Sequence, residues 1–190
     1  MPIPHDDVIA AIATPIGEGA ISVIRVSGST AISLVDNIFR GRKPLEVVPT
    51  HTAHVGQIVD KTGNTIDQAV VILFRGPKSY TGENVVEINC HGGTFITRKI
   101  LETVLNCGAR HAEPGEFTHR AFLNGRMDLS QAEAVADLIK ARSEAAHSAS
   151  ISQLMGRLSA EVNQIRDKLL NLCSLVELGL DFSEEGIEFI

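Results

Sequence analysis

The first two thirds of the chain mix short β-branched runs with helical spacings. Residues 7–13 and 20–26 are typical of β-strands, and a turn rich in proline and glycine separates them. Ile32, Val35 and Phe39 then recur at helical spacing. The same reasoning predicts further strands at 52–59, 66–74 and 84–90, a hairpin turn at 60–64, a helix at 94–106, a short strand near 109–112 and a brief helix at 118–124.

From residue 129 onward the pattern is helical only. Ser130 and Glu133 have the spacing of a capping box, which predicts a helix start at that point. Apolar residues then follow at alternating steps of four and three from Ile151 to Val176, and this heptad pattern predicts one unbroken helix of about 39 Å. The stripe needs partners, so either two chains pair along it or further helices of a bundle lie beyond residue 190. The acidic end of the chain carries no stop signal, which favours the second interpretation.

Composition sets limits on function. The chain has 190 residues, of which 44% are hydrophobic and 21% charged, as in globular proteins. Aromatic residues make up only 4% and the net charge is −6, which argues against a base-stacking surface and a large phosphate-binding footprint. Three cysteines fit a reducing compartment better than a disulfide framework. With neither a signal peptide nor a membrane-spanning run in the sequence, we expect a soluble, cytoplasmic protein.

Several common chemical motifs do not fit this sequence. It contains no G-x-x-x-x-G-K-[ST] loop, and Gly17-x-Gly19 lacks the third glycine of a dinucleotide-binding turn. Cys90-His91 and Cys107-x-x-x-His111 have a spacing that does not suit a tetrahedral zinc site, so we expect no metal. A Cys90–His91 nucleophile pair lacks a third, orienting group in the sequence. A buried cysteine and a loop histidine are the simpler interpretation.

Three charged residues are candidate binding groups. Glu87 follows two valines in a predicted strand, and a shielded carboxylate suits two adjacent N–H donors, such as those of a pterin or guanine. A solvated carboxylate or an internal ion pair is the alternative. Arg25 lies in a β-branched run, where bidentate binding of a carboxylate and an edge-strand position are the two interpretations. Arg126 lies between the brief helix and the capping box, where a surface arginine is the alternative.

Five motifs, in order along the chain, together resemble one protein family. The motifs are Ile12-Ala13-Thr14-Pro15-x-Gly17-x-Gly19, Ile24-Arg25-Val26-Ser27-Gly28, Ser79-Tyr80-Thr81-Gly82-Glu83, Glu87-x-x-Cys90-His91-Gly92-Gly93, and Ala112-x-Pro114-Gly115-Glu116-Phe117-Thr118-x-Arg120-Ala121-Phe122-Leu123-Asn124 with its continuation Asp128-Leu129-x-Gln131-Ala132-Glu133-Ala134. On these residues, which span essentially the whole chain, the sequence is similar to the N-terminal segment of the tRNA uridine-5-carboxymethylaminomethyl modification GTPases, the MnmE (or TrmE) family.

The resemblance implies an α+β architecture in two parts. Residues 1–118 resemble a mixed-sheet tetrahydrofolate-binding and dimerisation domain, similar to the folate domain of the glycine-cleavage aminomethyltransferase. Residues 119–190 resemble the first part of an all-α helical domain. In this family a GTPase domain is inserted into the helical domain, so we expect no catalytic residue and no GTPase activity in this segment. The family's C-terminal reactive cysteine is also outside it, and none of Cys90, Cys107 and Cys173 takes its role.

The resemblance also implies ligands for the three candidate residues. Arg25, Glu87 and Arg126 match the family's folate contacts, with Glu87 on the donor pair of the pterin and the two arginines on carboxylate or carbonyl groups. Position 126 is often lysine in the family, and arginine keeps the charge but changes the geometry of this contact. The expected cofactor is 5-formyl- or 5,10-methylene-tetrahydrofolate, whereas GTP, Mg²⁺ and K⁺ belong to the GTPase domain.

The implied activity is that of a homodimeric tRNA modification enzyme. With the flavin-dependent partner MnmG (GidA) it forms a hetero-oligomer that adds a carboxymethylaminomethyl-type group at C5 of the wobble uridine of certain tRNAs, in the cytoplasm and away from membranes. Two alternatives remain open: a stand-alone folate-dependent one-carbon transferase, and a dimerisation scaffold without a ligand.

Overall fold

The structure is a computed structural model that describes residues 7–183. It divides into two compact units, one ending at Arg126 and one beginning at Met127. Within the described residues, the first unit contains β1 (Ile9–Ile12), β2 (Ile21–Ser27), α1 (Ala31–Asp36), β3 (Phe39–Gly41), a 3₁₀ turn (Leu45–Val47), β4 (Thr52–Val59), β5 (Thr65–Phe74), β6 (Val85–His91), α2 (Thr94–Asn106), β7 (Arg110–His111) and α3 (Glu116–Leu123). The second contains α4 (Leu129–Lys140), α5 (Glu144–Leu154) and α6 (Arg157–Ser183).

The predicted α+β class and mixed sheet are confirmed. One seven-stranded sheet has the order β3-β4-β5-β6-β2-β1-β7, and its neighbours are antiparallel except for the parallel pair β1 and β7. The predicted hairpin turn also forms. Asp60 Oδ1 accepts hydrogen bonds from the backbone N–H groups of Thr62 and Asn64, and this closes the turn between β4 and β5.

The hydrophobic core lies on one face of the sheet, where α1 and α2 pack. Alternate strand residues point into it, among them Ile24, Ile88 and Val71, which are fully buried, together with Val35 of α1 and Ile100 of α2. The residues between them in the strands point to the opposite side, which we call the outer face. Val55 and Val70, which are cross-strand partners, lie there and are exposed. The candidate residues Arg25 and Glu87 lie on this outer face because they are out of phase with the core residues.

The helical spacing at Phe39 is misleading. The structure ends α1 at Asp36 and places Phe39 in β3. The phenyl ring packs over two glycines, since a Cβ built on Gly41 or Gly56 would lie within 2.3–2.5 Å of ring carbons of Phe39. The prediction that Phe39 belongs to the helix is therefore wrong, because Phe39 lies in β3 and its ring packs against the glycines of β3 and β4.

The cap of α4 lies two residues earlier than predicted. Asp128, not Ser130, caps α4: Asp128 Oδ1 accepts from Gln131 N–H at 2.8 Å, and Gln131 Oε1 accepts from Asp128 N–H at 2.9 Å. The expected capping box of Ser130 and Glu133 does not form, because both residues already lie inside the helix. A carboxylate two residues upstream of Ser130 fills the same role.

The predicted unbroken helix from Ile151 to Val176 is wrong. Helix α5 ends at Leu154 and α6 begins at Arg157. Gly156 between them has φ +77°, a left-handed conformation that ends helices and is readily adopted by glycine. Gln131 of α4 stabilises the break by donating from Nε2 to the backbone oxygen of Leu154 at 2.9 Å. The heptad spacing continues through the break, so periodicity alone does not reveal it.

The apolar stripe of α6 is exposed. Its side chains at positions 162, 165, 169, 172 and 176 are each more than half accessible to solvent. None of the helices in the described range is both long and apolar enough to cross a lipid bilayer.

The observed division between the units lies after α3, later than the boundary expected at residue 118. Arg120 of α3 explains this position. Its Nη1 donates to the backbone oxygen of Asp7 at 3.0 Å and to Glu83 Oε1 at 3.2 Å, both in the first unit. These bonds make α3 a part of that unit.

Candidate ligand site on the outer face of the sheet

Arg25 and Glu87, two of the three candidate residues, form an ion pair. They are direct cross-strand partners on β2 and β6, although 62 positions separate them in the chain. Arg25 donates from Nε at 2.9 Å and from Nη2 at 2.8 Å, and both bonds end on Glu87 Oε1. Within residues 7–183 no donor bonds to the second carboxylate oxygen of Glu87, Oε2, so this oxygen is available to an incoming N–H group. The side chains are 26% and 20% exposed, so a ligand can reach them.

Two aromatic rings contact the Arg25 guanidinium. The centroid of Tyr80 lies 5.0 Å from Arg25 Cζ, and that of Phe117 lies 5.7 Å away. These are cation–π distances. Tyr80 belongs to the loop between β5 and β6, and its hydroxyl lies 2.8 Å from Thr118 Oγ1 on α3. The rings therefore fix the orientation of Arg25 and place a planar apolar surface beside the ion pair.

The sequence analysis did not single out these rings. The low aromatic content argues against a stacking surface, yet the only tyrosine and one phenylalanine meet at the candidate site. The available signal was their position: Tyr80 and Phe117 lie within the two motifs Ser79–Glu83 and Ala112–Asn124. Since those motifs are far apart in the chain, their meeting at Arg25 depends on the fold.

Arg126 approaches the same loop from another direction. This exposed residue follows α3, and its Nε donates to the backbone oxygen of Ser79 at 3.1 Å. Ser79 directly precedes Tyr80. Arg126 is thus connected to the Arg25–Glu87 pair through two residues of the loop, and its other guanidinium nitrogens are available to a ligand.

A buried charge cluster holds the surrounding segments in place. Arg120, only 2% exposed, is ion-paired with Asp7, Glu83 and Glu116. Arg110 adds bonds to Asp7 at 2.7 Å and to Glu116 at 2.6 Å. The four segments that carry these residues are the start of the chain, the β5–β6 loop, β7 and α3.

The cluster keeps Glu116 and Asp7 ionised. Burial by itself raises the pKa of Glu116, but hydrogen bonds from Arg110, from the backbone of Glu113 and from Arg120 outweigh burial and lower the pKa to about 2. The pKa of Asp7 is lowered in the same way, with burial opposed by hydrogen bonds from Arg110 and Arg120. A neutral side chain in place of Asp7 or Glu116 would leave the buried positive charge of Arg120 only partly balanced.

Glu83 connects this cluster to the sheet. Ser27 Oγ, at the end of β2, donates to Glu83 Oε2 at 2.7 Å and lies 2.7 Å from Thr81 Oγ1. Ser79 Oγ donates to the backbone oxygen of Glu83. The loop that carries Tyr80 is therefore bonded at both ends of the Ser79–Glu83 motif.

Cys90 and His91 do not form a catalytic pair. Strand alternation turns Cys90 into the core, where Sγ donates to the backbone oxygen of Ser22 and burial raises the pKa of the thiol. His91 lies on the outer side and meets Asp67, whose Oδ1 is 2.7 Å from Nδ1. The orienting group that the sequence did not reveal is thus present, but it orients the histidine alone.

Gly92 lies where two segments of the chain approach each other closely. A Cβ at this position would lie 2.1 Å from the backbone oxygen of Gly19, so glycine is required. In the part of the chain that the structure describes, His, Cys, Asp and Glu form no group of three or more that could hold a metal ion.

Comparison with known proteins gives a consistent result along both units. Residues 8–126 match the family model described as the N-terminus of the GTP-binding protein TrmE, and residues 129–190 match the MnmE helical domain. The chain is 57% identical over 185 residues to the tRNA modification GTPase MnmE of Salinibacter ruber and 54% identical over 185 residues to that of Cytophaga hutchinsonii. Each alignment covers 97% of the chain. The chain spans about 40% of the length of these relatives.

Proposed function

The chain belongs to the MnmE family of tRNA modification GTPases, and from that premise we propose that its first unit binds a one-carbon tetrahydrofolate and forms a homodimer. The whole protein, together with the flavoprotein MnmG, would add a carboxymethylaminomethyl-type group at C5 of the wobble uridine of certain tRNAs in the cytoplasm. GTP, Mg²⁺ and K⁺ act on a GTPase domain outside these residues, and this segment hydrolyses no GTP.

The observation that carries the folate proposal is the Arg25–Glu87 pair beneath two aromatic rings. A pterin presents an amino group and a ring N–H side by side, and a carboxylate accepts both. Glu87 is anchored through Oε1 and has Oε2 available, so it can accept these donors while Arg25 holds it in place. The rings of Tyr80 and Phe117 supply apolar surface suited to a flat heterocycle.

The two arginines complete the chemistry of the proposed site. Arg25 donates to Glu87 from two nitrogens, and its remaining N–H groups suit a ligand carbonyl or carboxylate. Arg126 is exposed and bonded to the Tyr80 loop through Nε only, which leaves its two terminal nitrogens for a carboxylate. The residues present therefore fit a folate, and one-carbon transfer is the chemistry that this cofactor supplies when bound.

The helical unit has a different proposed role. Its exposed apolar stripe on α6 would pack against helices from the remaining length of the protein. Its part in the activity is then to support the GTPase domain rather than to bind the folate.

The test is calorimetric titration of the 190-residue chain with 5-formyl-tetrahydrofolate, at concentrations where the dimer persists. Loss of a hydrogen bond to a charged group costs about 1.5–3 kcal/mol, so Glu87→Ala should bind about 10- to 150-fold more weakly. Glu102→Ala is the matched control, because Glu102 is an exposed glutamate on α2. Equal affinities in Glu87→Ala and the wild type would reject the site.

The same titration separates the alternatives. A scaffold without a ligand binds no folate in any variant. A stand-alone one-carbon transferase binds the folate and also releases its one-carbon group to an acceptor without any further domain, which we do not expect.

A further inference from the structure

Among the described residues, the sheet covers only one side of helix α2. That side packs on the core through residues such as Ile100, which is fully buried. Four side chains at the spacing i, i+3, i+4 and i+7 share the opposite side, which we call the α2 ridge. They are Phe95, Arg98, Lys99 and Glu102. Because the core side of the helix is anchored on the sheet, the ridge presents these side chains in a fixed order.

Phe95 is far more exposed than the other aromatic residues. It is 77% exposed, the highest value among the aromatic residues whose side chains the structure describes. Phe39 in the core is 3% exposed by comparison. A phenyl ring in water forgoes the free energy that its burial would give. The ring is therefore accessible to a flat partner from outside the chain, and such a contact would recover that free energy.

Arg98 and Lys99 place two unpaired positive charges beside this ring. Residues at i+3 and i+4 have Cβ atoms about 5–6 Å from that of Phe95. Within residues 7–183 neither side chain forms an ion pair or a hydrogen bond, whereas Arg110 and Arg120 of the buried cluster are each paired with carboxylates. A ring with two cations next to it suits a stacked base and the phosphates that adjoin it.

An open groove of about 570 Å³ adjoins the ridge, and Thr94 lines it together with the four ridge residues. The helix begins at Thr94 with no side-chain cap and no acidic residue in its first turn, so the positive end of the helix dipole adds to the two cations. Of the described residues that line the groove, only Glu102 is acidic. It lies about 10 Å along the helix axis from Phe95. A phosphate is therefore favoured near Phe95 and disfavoured at the far end of the groove.

This combination favours single-stranded nucleic acid over other partners. Bases of a single strand stack on aromatic side chains, and the adjoining phosphates bind arginine and lysine. In a duplex the bases already stack on one another, so no base face is available to Phe95. An apolar protein surface would suit the ring but would bury two unpaired cations, which is costly. A contact of one ring and two charges also agrees with the low aromatic content and the net charge of −6.

We propose that the α2 ridge binds a single-stranded segment of RNA, with one base stacked on Phe95 and the adjoining phosphates held by Arg98 and Lys99. The inference rests on the proposed function, because a tRNA that the whole protein modifies has single-stranded segments of this kind. Helix α2 packs on the core face of the sheet, whereas Arg25 and Glu87 lie on the outer face. The ridge therefore holds a part of the tRNA other than the uridine that is modified.

The first experiment uses Phe95→Trp, because the natural chain contains no tryptophan. A base that stacks on the indole ring quenches its fluorescence, so titration of the 190-residue variant with heptauridylate should quench it. A blunt-ended RNA duplex of the same length should not. Phe122→Trp is the matched control, because Phe122 is an exposed phenylalanine on α3, and neither RNA should quench it.

The second experiment separates the ring from the charges by fluorescence anisotropy with labelled heptauridylate. Loss of the stacking ring in Phe95→Ala should weaken binding about 5- to 150-fold. The logarithm of the affinity against that of the salt concentration should have a slope of about −1.4 in the wild type, for two phosphates, and about −0.7 in Arg98→Ala or Lys99→Ala. Lys61→Ala is the charge control, because Lys61 is an exposed lysine in the β4–β5 turn, and it should keep the wild-type slope.

The outcomes separate this inference from the proposed function. If heptauridylate leaves Phe95→Trp unquenched, or if Phe95→Ala keeps the wild-type affinity, the ridge does not bind RNA. If Phe95→Ala keeps that affinity and instead turns a dimer into a monomer in analytical ultracentrifugation, the ridge is a contact between protein chains. These results leave folate binding untouched. A chain that binds heptauridylate at the ridge but binds no folate would support the ridge and reject the folate site.

Discussion

Removal of the charge of Glu116 should make the first unit less stable and less sensitive to acid. Its pKa falls from an ordinary 4.5 to about 2 in the folded protein, and each pKa unit corresponds to about 1.4 kcal/mol, so ionised Glu116 contributes about 3 kcal/mol. A lowered pKa gives stability that is complete above about pH 5 and is lost as the pH falls towards 2. Glu116→Gln should therefore lose about 3 kcal/mol at pH 7 and approach the wild type near pH 2.

Urea unfolding between pH 7 and pH 2.5 measures this difference. Tyr80 is the only tyrosine and there is no tryptophan, so intrinsic fluorescence reports on the first unit alone. The neighbouring exposed residue provides the control variant, Glu113→Gln, which should follow the wild type at every pH. If the free-energy difference between Glu116→Gln and the wild type stays constant over this range, the buried cluster does not hold Glu116 ionised and our account of it is wrong.

Two further predictions concern the chain approach at α2 and the nucleotide. Gly92→Ala places a Cβ 2.1 Å from the backbone oxygen of Gly19, so it should destabilise the first unit by about 2 kcal/mol or more in the same urea assay. Gly17→Ala is the control, because a Cβ at Gly17 would meet no atom within 4 Å. Equal urea midpoints for the two variants would contradict the close approach at Gly92. The purified 190-residue chain should release no phosphate from GTP, because it contains no phosphate-binding loop, and turnover that follows the protein through two further purification steps would contradict this.

Most strands were predicted from the sequence, because runs of β-branched residues favour strands. The alternation of apolar and polar residues along a strand then indicates which face is buried. Strand alternation puts Glu87 and Cys90 on opposite faces of β6, and the structure has them so. Register is a different kind of information: nothing in the sequence reveals that Arg25 lies directly across from Glu87. The internal ion pair, one of the alternatives for Glu87, is therefore present, and it coexists with a free carboxylate oxygen that suits the proposed ligand.

The wrong secondary-structure predictions concern positions where the sequence fits two local patterns. Phe39 has helical spacing from Ile32, but the space above two glycines places it in a strand. Ser130 has the capping-box spacing, but Asp128 reaches the first turn two residues earlier. Gly156 interrupts the helix in the structure, although the heptad spacing of apolar residues in the sequence continues on both sides of it. In each case a tertiary or backbone contact decides between patterns that are locally equivalent.

The burial of Arg120 among three carboxylates calls for a reason other than stability. Apolar residues of similar volume often stabilise a core as well as a buried ion pair does. Unlike apolar contacts, the bonds of Arg120 have direction, and they join Glu83 of the β5–β6 loop to Glu116 of α3. Tyr80 lies three residues before Glu83 and Phe117 directly follows Glu116, so the cluster fixes the two segments whose rings contact Arg25. A change that loosens Arg120 should therefore displace these rings before it unfolds the sheet, which makes the cluster a determinant of ligand affinity as well as of stability.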